Sequence, residues 1–301
     1  MGLRINSVLC ATDFSDFSNN AVYFGMALAR EFKARLYVCH VIDLPTAAMY
    51  GEALLDPQEI QTRIEDYANE QLAPFLAGEN LDWHILITIG RPAEEISRLA
   101  RENAVDLAVA ATHGRSGLQR LILGSVTERL MHTLPCPLLV VHDEDLAPDK
   151  KVRFERVAIG CDFSPDSALA VQYGLHLAQN FQSELHLLHV LEPSALKDLI
   201  KSSPGQGEEA QGALREQVNN DLAALIPEEA KLWCQPKTAL LGGQPYEELN
   251  KYAVINDISL IVLGVHGRGF VEKVLVGSTT DRVIRTAPCP VLSVRPLTER
   301  C

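Results

Sequence analysis

Short, nearly continuous apolar runs alternate along this chain with longer stretches whose apolar residues recur at helical spacing. INSVLCAT (5–12), RLYVCHVI (35–42), HILITIG (84–90), DLAVAAT (106–112) and PLLVVH (137–142) are rich in aliphatic residues and read as strands. Between them, SNNAVYFGMALAREFK (18–33), DPQEIQTRIEDYANEQLAPFL (56–76), PAEEISRLARENA (92–104) and SVTERLMHTL (125–134) carry helical periodicity. The alternation then begins again with RVAIG (156–160), ELHLLHVL (184–191), KTALLG (237–242), ISLIVLG (258–264) and PVLSVR (290–295). Strands apolar on both faces, separated by helices, imply a parallel sheet covered on each side. The expectation is an α/β, Rossmann-like chain: two tandem copies of a five-stranded, parallel-type sheet with helices on both faces.

The second half repeats the first in its letters too. VLCATDFSDFSNNAVYFGMALAREFKARLYVCHVID (8–43) is echoed by VAIGCDFSPDSALAVQYGLHLAQNFQSELHLLHVLE (157–192). Asp13 maps to Asp162 and His40 to His189, a displacement of 149 residues. Gly114 maps to Gly267, Gly124 to Gly277, and PCP at 135–137 to PCP at 288–290, a displacement of 153. The second copy has therefore gained four residues, placed most simply in the polar stretch 197–212. Two domains are expected, 1–145 and 156–301, with 146–155 as linker and start of the repeat.

Charge and cysteine content narrow the function classes. The net charge is −12 and the pI near 5.2, which excludes the basic field of a nucleic-acid surface. Residues 1–145 carry 11 basic and 20 acidic side chains, so most of the negative charge lies in the first half. Seven scattered cysteines without a Cys-x-x-Cys pair suit reduced thiols and no disulfide framework. Neither a signal-like apolar core nor a run long enough to span a membrane is evident, so a cytoplasmic location is expected.

Candidate chemistry lies in the glycine-rich stretch after the fourth strand of each copy. In open α/β sheets ligands gather at the carboxyl ends of the strands, near the point where strand order reverses. In the second copy Gly264 ends the strand, Gly267 follows, and nine residues later Gly277-Ser278 opens a helix. Bare backbone there, together with amides and hydroxyls of Ser278, Thr279 and Thr280, is suited to phosphates, with Arg268 and Lys273 adding charge. A ligand-free alternative is a capping box, Ser278 with Asp281 and Ser125 with Glu128. Asp13 and Asp162 likewise fit turn chemistry, with Ser15 or Ser164 as N-cap and Pro165 at the first helical position. His113 and His266 read as loop residues that pack or touch phosphate, since no base partner is apparent. His40 and His189 read as satisfied core residues. Cys136 and Cys289, between prolines, read as buried structural thiols. No Gly-Lys-Ser/Thr loop and no His-x-x-x-His or Cys-x-x-Cys metal signature occurs.

Asp-Phe-Ser after strand one, then Gly-x-x-Gly, nine residues, Gly-Ser and a final CPVL strand, resembles the universal stress protein family over nearly the whole chain, twice. The resemblance implies an adenine-nucleotide alpha-hydrolase-like fold and an ATP-binding pattern that the second copy matches completely, through Gly264, Gly267, Gly277 and Ser278. The first copy has Ala111, Gly114, Gly124 and Ser125, with alanine in place of the first glycine. That methyl is expected to crowd a nucleotide unless the backbone tolerates it. By position the resemblance carries over Asp162 as the acidic residue near adenine and ribose, with Gly160 and Cys161 beside it. Val190 becomes an apolar contact to the base, and His266, Arg268, Thr279 and Thr280 complete the set. Ala11, Thr12, Asp13, Val41, His113, Val126 and Thr127 are the weaker matches in the first copy. ATP, with Mg2+ as its candidate companion, is the implied ligand.

Three functions remain open: an ATP-binding stress-response regulator with nucleotide in the second domain, a slow ATPase, and a scaffold whose first domain binds a partner or another small ligand. Family members usually dimerise through the final strand. CPLLVVH and CPVLSVR are therefore expected to form a pseudo-dimer within the chain, with a homodimer of chains as a further candidate.

Overall fold

The computed structural model describes residues 3–43, 57–76, 81–112, 123–142, 152–193, 207–267 and 276–296; within the two helices that begin at Pro57 and Gly207, side chains are described for 62–72 and from 211 onward. The chain divides into two compact units, one reaching Val152 and one spanning Arg153–Pro296. The first contains β1 (Ser7–Ala11), α1 (Asp16–Phe32), β2 (Arg35–Ile42), α2 (Pro57–Leu76), β3 (Trp83–Ile89), α3 (Pro92–Glu102), β4 (Leu107–Ala111), α4 (Ser125–Thr133) and β5 (Leu138–Val141). The second contains β6 (Arg156–Gly160), α5 (Pro165–Phe181), β7 (Glu184–Leu191), α6 (Gly207–Ala224), β8 (Lys237–Gly242), α7 (Pro245–Ile255), β9 (Leu260–Gly264), α8 (Ser278–Thr286) and β10 (Val291–Val294). Each is a parallel sheet, in the order β3-β2-β1-β4-β5 and β8-β7-β6-β9-β10. Strand order reverses between β1 and β4 and between β6 and β9, so the expected switch point exists in both units.

The strands are buried because helices cover both faces. β4 has all five residues buried, and Val157, Ile159, Leu260 and Val262 are 0 % exposed. Helix and strand meet unusually closely at one repeated place. A Cβ on Gly25 of α1 would lie 1.9 Å from Cys10 Sγ, and one on Gly174 of α5 would lie 2.4 Å from Ile159 Cδ1. These glycines are conserved between the copies, 149 residues apart, because a side chain there would push the first helix off its sheet. Burial also pushes the Cys10 thiol pKa well above its ordinary value and that of Cys39 up to about 12, so both act as small apolar side chains.

The structure corrects the position of the four-residue insertion. Ala68 and Leu72 of α2 have the burial pattern of Val218 and Leu222 of α6, 150 residues on. By β8 the displacement is 153, since Lys237 and His84 occupy equivalent register positions. One residue is therefore added before α6 and three after it. There a 3-10 turn at Glu228–Leu232, which apolar periodicity does not reveal, buries Ala230.

β7 also contains a buried histidine with a consequence for stability. His186 is 1 % exposed, with Nδ1 2.8 Å from Tyr252 Oη and Nε2 3.0 Å from Glu184 Oε1. Desolvation, outweighing the Glu184 charge, lowers its pKa from the ordinary 6.5. The unfolded chain therefore binds the proton more readily, and the stability from neutral His186 is complete above about 6.5 and lost as pH falls. Urea unfolding at pH 7.5 and 5.5 is expected to show the second domain weaker at the lower pH. His186→Tyr, which copies Tyr37 of the first unit, should remove that part of the slope; an unchanged slope would contradict the assignment.

Candidate functional site

A cavity of about 700 Å³ opens at the carboxyl ends of β6, β7 and β9, with α8 at one side and α6 and α7 as further walls. Gly160, Cys161 and Asp162 after β6 and Val190 in β7 all border it. So do Gly264, His266 and Gly267 at the end of β9, and Gly277, Ser278, Thr279 and Thr280 at the start of α8. Arg268 and Lys273 lie outside the described residues. The structure thus gathers residues more than a hundred positions apart into one concavity at the switch point.

One edge of the cavity is the start of α8. Its N-cap is Gly277, at φ −60° and ψ 141°, and no side chain caps it. This corrects the capping-box alternative: Ser278 is the first helical residue, and Asp281 pairs along the helix with Arg285 at 3.0 Å. In α4 the N-cap is Gly124, again without a side-chain cap, so Ser125 and Glu128 form no box either. The first amides of α8 therefore have no acceptor from a capping side chain, and the helix dipole adds to their attraction for an anion. Thr280 has a different part from the one expected. Its hydroxyl donates to the Gly264 carbonyl at 2.7 Å and ties α8 to β9, as Thr127 donates to Ala111 at 2.7 Å in the first unit.

The three glycines make room for different neighbours. A Cβ on Gly267 would lie 2.8 Å from Asp162 Oδ2, and one on Gly277 3.2 Å from the Val265 carbonyl oxygen. These two residues hold the loop, the helix start and Asp162 close together. Gly264 is the exception. Its missing Cβ faces the backbone carbon and Cβ of Asp166 and the amide of Ser167, at 2.7–2.8 Å. The expectation that a methyl here crowds a nucleotide directly is thus corrected: the glycine lets the first turn of α5 approach β9.

Asp162 makes the turn contact read from the sequence and borders the cavity. Oδ1 accepts the Ser164 amide at 3.0 Å in a turn, while Oδ2 is the atom beside Gly267. Ser164 is the N-cap of α5, accepting the Ser167 amide at 3.2 Å, and Pro165 follows it. Between Asp162 and Ser164, Phe163 is held at φ 61°, a left-handed conformation costly for a bulky residue, with its ring 5.0 Å from that of His189. His189 donates its Nδ1 hydrogen to the Cys161 carbonyl, 2.7 Å away, and also borders the cavity. Leu188, Leu249 and Leu263 supply an apolar floor, while Leu214, Gln217, Val218 and Asp221 form a wall from α6. The sequence reading missed these; the one signal for the α6 wall is the i, i+4 spacing of Leu214 and Val218. It also missed a partner for His266, whose Nδ1 and backbone amide lie 2.8 and 3.1 Å from Asp166 Oδ2.

The first unit keeps the frame and changes the filling. Asp13 Oδ1 accepts from the Ser15 amide at 3.0 Å, Ser15 caps α1, and Phe14 repeats the left-handed φ at 60°. Thr12 Oγ1 lies 3.0 Å from Ser18 Oγ, where the second unit has Cys161 3.7 Å from Ser167. Ala111 is 7 % exposed at the end of β4, and Ala11 and Val41 end β1 and lie near the end of β2. Phe14 stacks on His40 at 4.5 Å, and Tyr67 of α2 adds its edge at 5.4 Å. Gln217 is the equivalent of Tyr67 in α6. Ser125, Val126 and Thr127 open α4, whereas His113 and Gly114 lie outside the described residues. Cys136 and Cys289 are both buried.

A model of the universal stress protein family matches residues 4–142 and again 153–295. A universal stress protein of Mycolicibacterium smegmatis is 27% identical over 301 residues, covering 96% of this chain and 97% of that one. Universal stress protein MJ0531 of Methanocaldococcus jannaschii is 33% identical over 144 residues, 44% of this chain and 80% of its own. The crystal structure of a universal stress protein from Archaeoglobus fulgidus is similar at a TM-score of 0.69 and 21% identity, covering 98% of this chain and 100% of that one, a likeness of fold.

Proposed function

The chain belongs to the universal stress protein family, and from that premise we propose that it is an ATP-binding stress-response regulator of the cytoplasm with its nucleotide in the second domain. The observation that carries the reading is the start of α8: a helix capped by glycine alone, facing a 700 Å³ cavity. The triphosphate lies against the amides that follow Gly277, which no described side chain caps, and the backbone near Gly267. The ribose hydroxyls reach Asp162, an acceptor at the other side of the glycine loop. The base lies on Leu188, Val190, Leu249 and Leu263, an apolar surface that suits a flat ring. Among the described residues no helix is long and apolar enough to cross a membrane. The first domain, with Ala111 and its Phe14–His40–Tyr67 stack, serves another ligand or a partner.

Calorimetric titration of the whole chain with ATP, GTP and adenosine tests the reading. ATP is expected to saturate, to bind more tightly than adenosine through its phosphates, and to be recovered intact. Absence of ATP binding would overturn the proposal. Multiple-turnover release of phosphate would select the slow ATPase in its place.

A further inference from the structure

The geometry points to Asp166 as a positioning residue that sets the glycine loop for phosphate, an inference that rests on the ATP reading above. Val265 is already fixed, its amide donating to Val294 at 2.8 Å and its carbonyl accepting from Gly277 at 2.7 Å. The next residue, His266, is held by the first turn of α5 and its N-cap. Asp166 Oδ2 accepts the His266 amide at 3.1 Å and its Nδ1 hydrogen at 2.8 Å, and Ser164 Oγ donates to the His266 carbonyl at 3.3 Å. One oxygen thus fixes both the backbone and the ring of the residue that leads into Gly267. Asp166 is itself only 9 % exposed and lies in the first turn of α5, where the helix dipole favours a carboxylate.

The same contact explains why Gly264 and Asp166 occur together. A Cβ at 264 would fall 2.8 Å from the Cβ of Asp166 and 2.7 Å from its backbone carbon, so the carboxylate reaches the loop only if residue 264 has no side chain. The first copy changes both positions. It has Ala111 for Gly264 and Phe17 for Asp166, while His113 retains the histidine. The Phe17 side chain carries no acceptor, so the Asp166 carboxylate has no counterpart at that position of the first copy. The alanine therefore marks the loss of a latch as well as of a glycine.

The test compares wild type, Asp166→Ala and Asp166→Asn for ATP and adenosine binding, with thermal unfolding as the control for fold. Asp166→Ala is expected to weaken ATP by about tenfold, the usual consequence of losing a charge-assisted hydrogen bond, and to leave adenosine within about twofold. Asp166→Asn keeps an acceptor for the His266 amide and should stay within about threefold of wild type for ATP. Unchanged ATP affinity in Asp166→Ala overturns the inference while leaving the ATP reading intact. Equal weakening of ATP and adenosine also overturns it, because that is the mark of a merely structural role. If wild type binds neither ligand, the ATP reading fails and the inference falls with it. Hydrogen exchange needs no variant: the His266 amide of the nucleotide-free protein is expected to be protected, and exchange at the rate of an open loop contradicts the latch.

Discussion

Gly264→Ala is expected to lose both stability and ATP. The added methyl meets the Asp166 backbone at 2.7 Å and the Ser167 amide at 2.8 Å, neither of which can rotate away. α5 must shift from the end of β9, and overpacking of this kind costs roughly 1–3 kcal/mol. The shift also withdraws the Asp166 carboxylate from His266, so ATP should bind at least about tenfold more weakly. Scanning calorimetry and ATP titration on the same preparation check both parts. The reciprocal change, Ala111→Gly in the first domain, is expected to leave any ATP binding there at least about tenfold weaker than in the second, because Phe17 still offers no acceptor. An unchanged melting temperature in Gly264→Ala would contradict the packing assigned to that glycine.

Gly277→Asp should separate the two effects. Aspartate is a favoured N-cap, and its carboxylate accepts the amide at the second or third helical position, here Thr279 or Thr280. It therefore takes the donors assigned to phosphate and places a negative charge at the proposed triphosphate position. ATP binding is expected to fall by at least about a hundredfold, since like charges meet at close range. Stability should hardly change: a side-chain cap in place of glycine contributes a few tenths of a kcal/mol. The Cβ, 3.2 Å from the Val265 carbonyl oxygen, opposes that gain. Retained ATP affinity in a folded Gly277→Asp protein would remove α8 from the site.

The outline of this arrangement was legible in the sequence because it depends on pattern. Two rounds of apolar strands and amphipathic helices specify a parallel sheet, and Gly-x-x-Gly with Gly-Ser after the fourth strand falls where strand order reverses. What was not legible depends on contacts between distant residues. Asp166 reads as an ordinary first-turn acid, and only the fold places its Oδ2 against His266, a hundred residues away. Phe163 gives no sign in the letters of its φ of 61°. Ser278 and Asp281 have the spacing of a capping box, yet the helix starts one residue earlier and Arg285 takes the acid. Gly264 was recognised as significant for the wrong neighbour, since a glycine in a sequence does not say which side of the chain is crowded. The α6 wall was hidden by divergence between the copies, and three of the four inserted residues fall after that helix.

The central claim is one ATP site per chain, built on α8. ATP stoichiometry measured by titration on wild type, Gly124→Asp and Gly277→Asp tests it most directly, because the two substitutions change equivalent N-caps in the two domains. One site per chain is expected in wild type and in Gly124→Asp, and none in Gly277→Asp. Two sites in wild type, or a single site that survives Gly277→Asp and disappears in Gly124→Asp, would contradict it.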